Sequence, residues 1–523
     1  MGIWKKLKAV ERLELCVLGL PVGLGVIGTI SYCLGGSLAG WAFPVMFGLG
    51  LVVMMKQGRR SGVLFAAVEG LILLAAGFSC SYDFGDSSSC WFPMQQMMRE
   101  GWNPVWAAGL SDVRAALDGY GAAANHMLVY PKFPSLVGAV VGKGVALFSA
   151  DAYLPCSLAF VLWCASARFA KRQWQAPTWA AQAFAASIAV TTKLTGAFVG
   201  YVDYSVYAAL LIALLAGWLW REGGGAADWI EHVLALAVLG SVKANGLLFA
   251  IVTMIGLVAV AKRGTRRRYL LSIAVVGAGW LILNVNPIVP YVREFLLGGR
   301  AWLDLTADFG GNEDALRMGR VARMTYAWIS PSVVPGRPEF DVLGGVAGFG
   351  GWFNALMGLS VAALVWSRDR AGGWLVLVLF VSANVLPLKY IGYSRYCPQV
   401  WAIPAVALFA TAFSPRWSSV RNVRLPHLVR GLTAGALAVA ALALAIRDGR
   451  YYANNVRLEF DRRKVIAGLV ARGGTVRLAD ELRTGVCGYA ISRRLMFAGL
   501  TVAKQADVCV NFDRESRKLV IEP

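Results

Sequence analysis

The chain has 523 residues, 57% of them hydrophobic and 15% charged, with mean hydropathy +0.57. Its apolar residues fall in long blocks separated by short basic ones, which excludes an ordinary soluble domain: about 20 such residues span a bilayer as a helix. The formal charge of +21 does not indicate a nucleic-acid partner, because the basic residues form no single aromatic-studded face and instead mark topology.

With Lys5, Lys6, Lys8 and Arg12 placed in the cytoplasm, helices begin near residues 13, 39 and 62, and the segment 81–134 lies outside. The opening MGIWKKLKAVERLELCVLGL lacks a clear small-residue cleavage site and is read as an uncleaved first helix. Further helices are expected at 153–169, 177–193, 205–220, 229–242, 246–261, 269–287, 343–366, 372–388, 396–413 and 430–446, which makes about 13 transmembrane helices. This leaves Lys56, Arg59, Arg60, Arg168, Lys171, Arg172, Arg221, the run 262–268, Arg368 and Arg370 on the inner side. The run PSLVGAVVGKGVALFSA, residues 134–150, breaks that alternation and is read as a re-entrant or interfacial helix in the first large outer loop. A second outer loop covers 288–342. From residue 451 the composition changes, and LEFDRRKVIAGLVARGGTVRLADEL with ADVCVNFDRESRKLVIEP reads as helix, strand and strand. The expectation is an all-α polytopic membrane protein, with a transmembrane domain at 1–450 and a small soluble α/β domain at 451–523 outside the membrane.

Several chemistries are absent from the pattern. There is no P-loop, G-x-S-x-G, H-E-x-x-H or C-x-x-C, and His126, His232 and His427 are scattered. A nucleotide-driven pump and a zinc protease are thereby disfavoured. Cys80 with Cys90, and Cys487 with Cys509, have spacings that leave disulfide pairing open. No N-x-S/T sequon occurs, which favours a bacterial inner membrane over an endoplasmic reticulum lumen.

The outer loops carry the chemistry. Asp83 and Asp86 follow the third helix and precede Trp91-Phe92-Pro93, MQQMMRE and GWNPVW, an aromatic interfacial setting. A carboxylate desolvated there can act as general base; the alternative is that both aspartates cap helices or face water. At the same face lie Tyr130-Pro131-Lys132-Phe133-Pro134, T-T-K-L-T-G around Lys193, K-A-N-G from Lys243, and Y-S-R-Y-C-P-Q around Arg395. One such cation at a helix end ordinarily snorkels; their convergence is harder to explain in that way. In ALRMGRVARMTYAW, Arg323 with Arg317 and Arg320 suits an interfacial helix over anionic headgroups or lipid phosphate, or a solvated basic face.

Taken in order, Asp86 before W-F-P, G-W-N-P, Y-P-K-F-P with its small-residue helix, T-K-L-T-G, G-G-V-A-G-F-G-G-W-F (344–353) and S-R-Y-C-P-Q resemble the GT-C superfamily of integral-membrane glycosyltransferases. The resemblance covers most of residues 60–415. It implies a polyprenyl-phosphate or pyrophosphate sugar donor, a glycan or lipid hydroxyl acceptor, inversion at the anomeric carbon, and a catalytic carboxylate in the first large outer loop. Asp86 matches that position best and Asp83 second, with Lys132, Lys193, Lys243, Arg395, Tyr130 and Arg323 as substrate- or phosphate-binding candidates. Two departures stand out: an additional N-terminal hairpin, and Lys132 in place of one proline of the usual pair. No cofactor is expected, and a metal-independent site is favoured over a divalent one because D-F-G-D is not a recognised ligand set. A transporter or flippase of a lipid-linked or anionic substrate is the alternative, with Lys143, Lys193 and Lys243 lining a polar path. A ligase or polymerase of another membrane fold, relying on loop arginines and a histidine, ranks third.

Overall fold

The computed structural model describes residues 8–78, 92–107, 110–117, 127, 131–190, 202–261, 266–285, 351–385, 397–414, 424–480, 482, 488–513 and 518–522. Each expected apolar block carries a helix: α1 (Ala9–Cys33), α2 (Ala42–Met55) and α3 (Arg59–Gly77), then, past the segment expected as the first outer loop, α7 (Tyr153–Gln173), α8 (Thr178–Val190), α9 (Val202–Arg221), α10 (Ala226–Val242), α11 (Ala244–Val260) and α12 (Arg266–Leu283). From residue 351 come α13 (Gly351–Ser367), α14 (Arg370–Asn384), a 3-10 turn (Pro398–Ala402) leading into α15 (Ile403–Ala412), and α16 (Arg424–Arg472). Among the described residues, five helices are long and apolar enough to cross a membrane: α1, α3, α7, the Asp203–Arg221 part of α9 and the Pro426–Arg472 part of α16. The shorter apolar helices, such as α2, α8 and α14, fall below the length expected of a full span.

The segment expected as the first outer loop supplies three more helices, α4 (Phe92–Arg99), α5 (Leu110–Ala116) and α6 (Phe133–Gly144). At 12 residues, α6 is about 18 Å long, well short of a ~30 Å hydrocarbon core. It lies along α1. Phe133 packs against Gly25 and Leu136 against Gly28, where a Cβ would stand 2.9 Å from a Leu136 methyl. At its other end Lys143 Nζ donates to Leu38 O (3.2 Å), in the turn between α1 and α2. Gly25 lies eight residues before the end of α1, about 12 Å down its axis, so the N-terminus of α6 is its deeper end.

One apolar core runs through the helices, and α9 is its centre, with Leu210, Ile212, Ala213 and Leu214 all fully buried. A row of rings, Phe169, Trp174, Phe184 and Phe409, locks α7, α8 and α15 together at centroid separations of 4.7–5.4 Å. Burial of each such side chain contributes about 1.5–3 kcal/mol.

The C-terminal region departs from the expected division in one respect. The 450/451 boundary falls inside α16, 49 residues long, or about 73 Å. RDGRYYANN reads as a change of composition, yet it contains no proline, and a single glycine, Gly449, costs a helix only about 1 kcal/mol. The end of α16 packs on β1 (Thr475–Leu478), α17 (Gly488–Phe497), β2 (Thr501–Ala503), β3 (Val508–Asp513) and β4 (Lys518–Glu522), with Ile466, Leu469, Leu495, Val510 and Phe512 in a separate small core. The sheet order is β2-β1-β3-β4, with β1 parallel to both neighbours and β4 antiparallel to β3. This is the expected α/β unit, with two strands and a helix beyond those the alternation announces.

Candidate functional site

Of the residues singled out in the sequence, Lys132 and Lys243 are described; Asp83, Asp86, Tyr130, Lys193, Arg323 and Arg395 lie outside the described residues, as do Cys80, Cys90 and Cys487.

Lys132 caps the deep end of α6 and is only 1% exposed. Its carbonyl accepts from Leu136 N (2.8 Å), which starts the helix, and a proline follows in the first turn. The glycines of α1 explain the depth, because only a backbone without side chains admits the Phe133 ring at Gly25. Leu283 of α12 reaches the same glycine.

From Leu283 the contacts continue towards Lys243. Asn284 Nδ2 donates to Ser241 Oγ (2.9 Å), and Trp280 Nε1 donates to Gly240 O (2.8 Å), both at the last turn of α10. Lys243 is the single extended residue between α10 and α11, with φ −156° and ψ 155°. The K-A-N-G motif makes this abrupt reversal possible: Gly246 N donates to Lys243 O (2.9 Å), and the Leu239 carbonyl presses on Gly246 where a side chain would stand. Lys243 Nζ meets Asp203 Oδ1 at 2.7 Å, and both residues are buried. Asp203 sits in the first turn of α9, where a carboxylate also complements the helix dipole. Sequence reasoning missed Asp203; an acidic residue opening an apolar helix was the available signal.

The segment that carries α4 closes the end of α1. Asn103 Nδ2 donates to Tyr32 O (3.1 Å), Trp106 Nε1 to Cys33 O (3.2 Å), and Tyr32 Oη to Met98 O (3.3 Å). The G-W-N-P and Trp106 positions thus satisfy carbonyls that a helix end leaves open. Arg99 Nη1 donates to the carbonyls of Leu147 and Phe148, each at 2.6 Å, and Gln96 Nε2 to Phe148 O (2.7 Å), which ties α4 to the stretch after α6. Burial pushes the Glu100 carboxyl above its ordinary range, while Arg493 and Arg99 pull it down. Burial likewise lowers the Arg99 guanidinium, and Glu100 opposes that.

Two further buried charge groups were not singled out in the sequence. Glu69, midway along α3, is fully buried and accepts from Tyr153 Oη (2.7 Å). Near the expected inner ends, Arg168 of α7 bridges Glu14 of α1 and Glu231 of α10 and lies 3.5 Å from Asp228, which also pairs with Arg172 at 2.9 Å. Arg168 is therefore not simply a marker of the cytoplasmic side; it ties three helices together. Lys143, considered for a polar pathway, instead holds the α1–α2 turn. Among the described residues no group of three His, Cys, Asp or Glu is arranged to hold a metal ion. In comparison with known proteins, no family model and no curated protein matches the chain.

Proposed function

We propose that this chain is a membrane glycosyltransferase of the GT-C type, moving a hexosyl or pentosyl group from a polyprenyl-phosphate or pyrophosphate donor to a hydroxyl acceptor at the outer face of a bacterial inner membrane. Cell-envelope glycan or glycolipid synthesis is the setting that fits such a donor. The observation that carries the reading is Lys132: a buried ammonium at the deep N-terminus of a helix too short to span. A cation on the N-cap residue and the positive end of the helix dipole belong to one stretch of chain, a combination that suits an anionic group such as a lipid phosphate. Lys243 follows the end of α10, which Asn284 and Leu283 connect to the Gly25 position that Phe133 meets. A donor phosphate held at that depth keeps its lipid tail in the hydrocarbon while the sugar meets water-borne acceptor.

In the proposed reaction Asp86, or Asp83 in its place, takes the acceptor's proton as the acceptor oxygen bonds to the anomeric carbon. The bond from that carbon to the phosphate oxygen breaks, and the phosphate leaves with the electron pair, stabilised by Lys132 and the other outer cations. Direct displacement inverts the anomeric centre. Lys243 already has a carboxylate partner in Asp203, so a phosphate there competes with that pair. The test is transfer from a mixed pool of polyprenyl-phosphate sugars in membranes, comparing the intact protein with Asp86→Asn at matched expression. Loss of at least about 100-fold is expected for removal of a general base; unchanged transfer passes the role to Asp83 or another carboxylate.

Transport is the second reading, favoured by Glu69, a buried carboxylate halfway along α3. Proteoliposome uptake and sugar transfer, each measured with and without Glu69→Gln, separate the two. A substrate gradient abolished by that change supports transport, whereas wild-type transfer insensitive to it supports the transferase.

A further inference from the structure

The residues that flank positions 79–91 in the chain are Phe78, just past α3, and Phe92, at the start of α4. Both are held by the C-terminal part of the protein. On the α3 side, Phe78 packs on Phe460 of α16 with centroids 5.3 Å apart, and the Arg463 guanidinium lies 5.0 Å above the Phe78 ring. Arg463 Nη2 also donates to Gly77 O (3.2 Å), and Tyr452 Oη donates to Ala75 O (3.3 Å). On the α4 side, Phe92 packs with Phe148 (5.2 Å) and Ala490 of α17, and Phe148 packs in turn on Phe497 (5.5 Å). The Arg493–Glu100 pair at 3.3 Å and Arg99 over the Phe497 ring at 5.4 Å complete this second contact.

One carboxylate joins the two contacts. Glu459 Oε1 accepts from Arg463 Nε at 3.1 Å and from Arg494 Nη2 at 2.8 Å, while the Arg494 guanidinium lies 4.8 Å from the Phe148 ring centroid. Glu459 is 3% exposed, so its charge-assisted bonds are poorly screened by water. Glu459 thus links α16 and α17 directly, and through them both flanking residues.

We infer that the C-terminal α/β unit is an intramolecular clamp on the two ends of the segment 79–91, with Glu459 as its joint and Arg463 and Arg494 as its two arms. The clamp is a matter of packing and stands on the contacts above. Its consequence, that loosening these contacts slows transfer, rests on the proposed function. Glu459, Arg463 and Arg494 are on this account positioning residues, which act through the segment they hold.

The test uses the full chain in detergent or nanodiscs and reads hydrogen exchange in peptides covering 72–78 and 92–100, with α9 and strands β1 and β3 as internal references. Glu459→Gln is expected to speed exchange at both flanks at least about tenfold, the scale of one lost charge-assisted bond, with α9 unchanged. Arg463→Met, whose native side chain reaches the α3 side and Glu459, is expected to loosen the 92–100 peptide as well, because it removes one of the two arginines that fix the Glu459 carboxylate. Arg494→Lys retains the charge and most of the protection. Exchange unchanged at either flank in Glu459→Gln, or an Arg463→Met effect confined to 72–78, overturns the clamp. Should Glu459→Gln also unfold β1 and β3, the Arg463→Met result decides. Exchange needs no substrate, so a failure of the glycosyltransferase reading leaves this measurement intact. Where transfer is measurable, Glu459→Gln lowers kcat while donor KM stays near its wild-type value.

Discussion

Replacing Lys132 with methionine is expected to slow sugar transfer about 100- to 1,000-fold, the usual scale for removing one pre-positioned charge from a site where charge develops. The side chain is aliphatic through most of its length, and methionine preserves much of that packing, so the change removes chiefly the ammonium. In the proposed reaction the donor phosphate gains negative charge as the anomeric bond breaks, and the ammonium binds the departing group more tightly than the intact donor. The loss then falls on kcat more than on KM. Lys132→Arg retains a charge in a different shape and is expected to recover part of the rate, since a guanidinium binds phosphate well but cannot occupy an ammonium's space unchanged. Initial rates against donor concentration decide the matter. Transfer that is unaltered in Lys132→Met, with the protein folded, removes the residue from the site; an equal loss in Lys132→Arg and Lys132→Met together with a lowered thermal midpoint assigns it to packing.

The helical frame was legible because each apolar block is long and its basic punctuation falls mainly on one side, so α1, α7 and α9 appear where hydropathy puts them. The strands of the tail were partly legible for a different reason: TVRL and VCVNFD alternate in the way a half-buried strand does. What hydropathy does not carry is depth. That α6 begins deep beside α1 depends on Gly25 and Gly28 meeting Phe133 and Leu136 more than 100 residues later, and no local pattern encodes such a pairing. The same holds for Lys243 and Asp203, forty residues apart, and for Glu459, whose partners Arg463 and Arg494 lie on two different helices. Arg168 shows the opposite hazard. Its position at the inner end of an apolar run gave it a topological meaning, and its burial between three carboxylates gives it a structural one.

Replacing that Arg168 with methionine is expected to destabilise the protein by about 3–5 kcal/mol, the cost of stripping the partner from buried charge. Arg168 reaches Glu14 on α1 and Glu231 on α10 and stands near Asp228, all three carboxylates being almost fully buried. Without it, Arg172 remains for Asp228 alone, and Glu14 and Glu231 must either stay ionised in a medium that solvates them poorly or take up protons. The damage therefore comes from the carboxylates left behind more than from the bonds lost. Two comparisons separate these contributions. Arg168→Lys keeps the charge but loses the fork that spans two helices at once, and is expected to cost less than the methionine change. The triple variant Arg168→Met, Glu14→Gln, Glu231→Gln removes charge on both sides and is expected to regain most of the lost stability, a non-additivity that marks direct coupling. Buried Cys156 and Cys397 provide the reporter, because a thiol-reactive dye labels them only on unfolding; the thermal midpoint is expected to fall by roughly 5–10 °C in the single variant and to return towards wild type in the triple. A triple variant less stable than the single one would mean that the carboxylates hold α1 and α10 by bonds of their own, and that Arg168 is not their counter-charge.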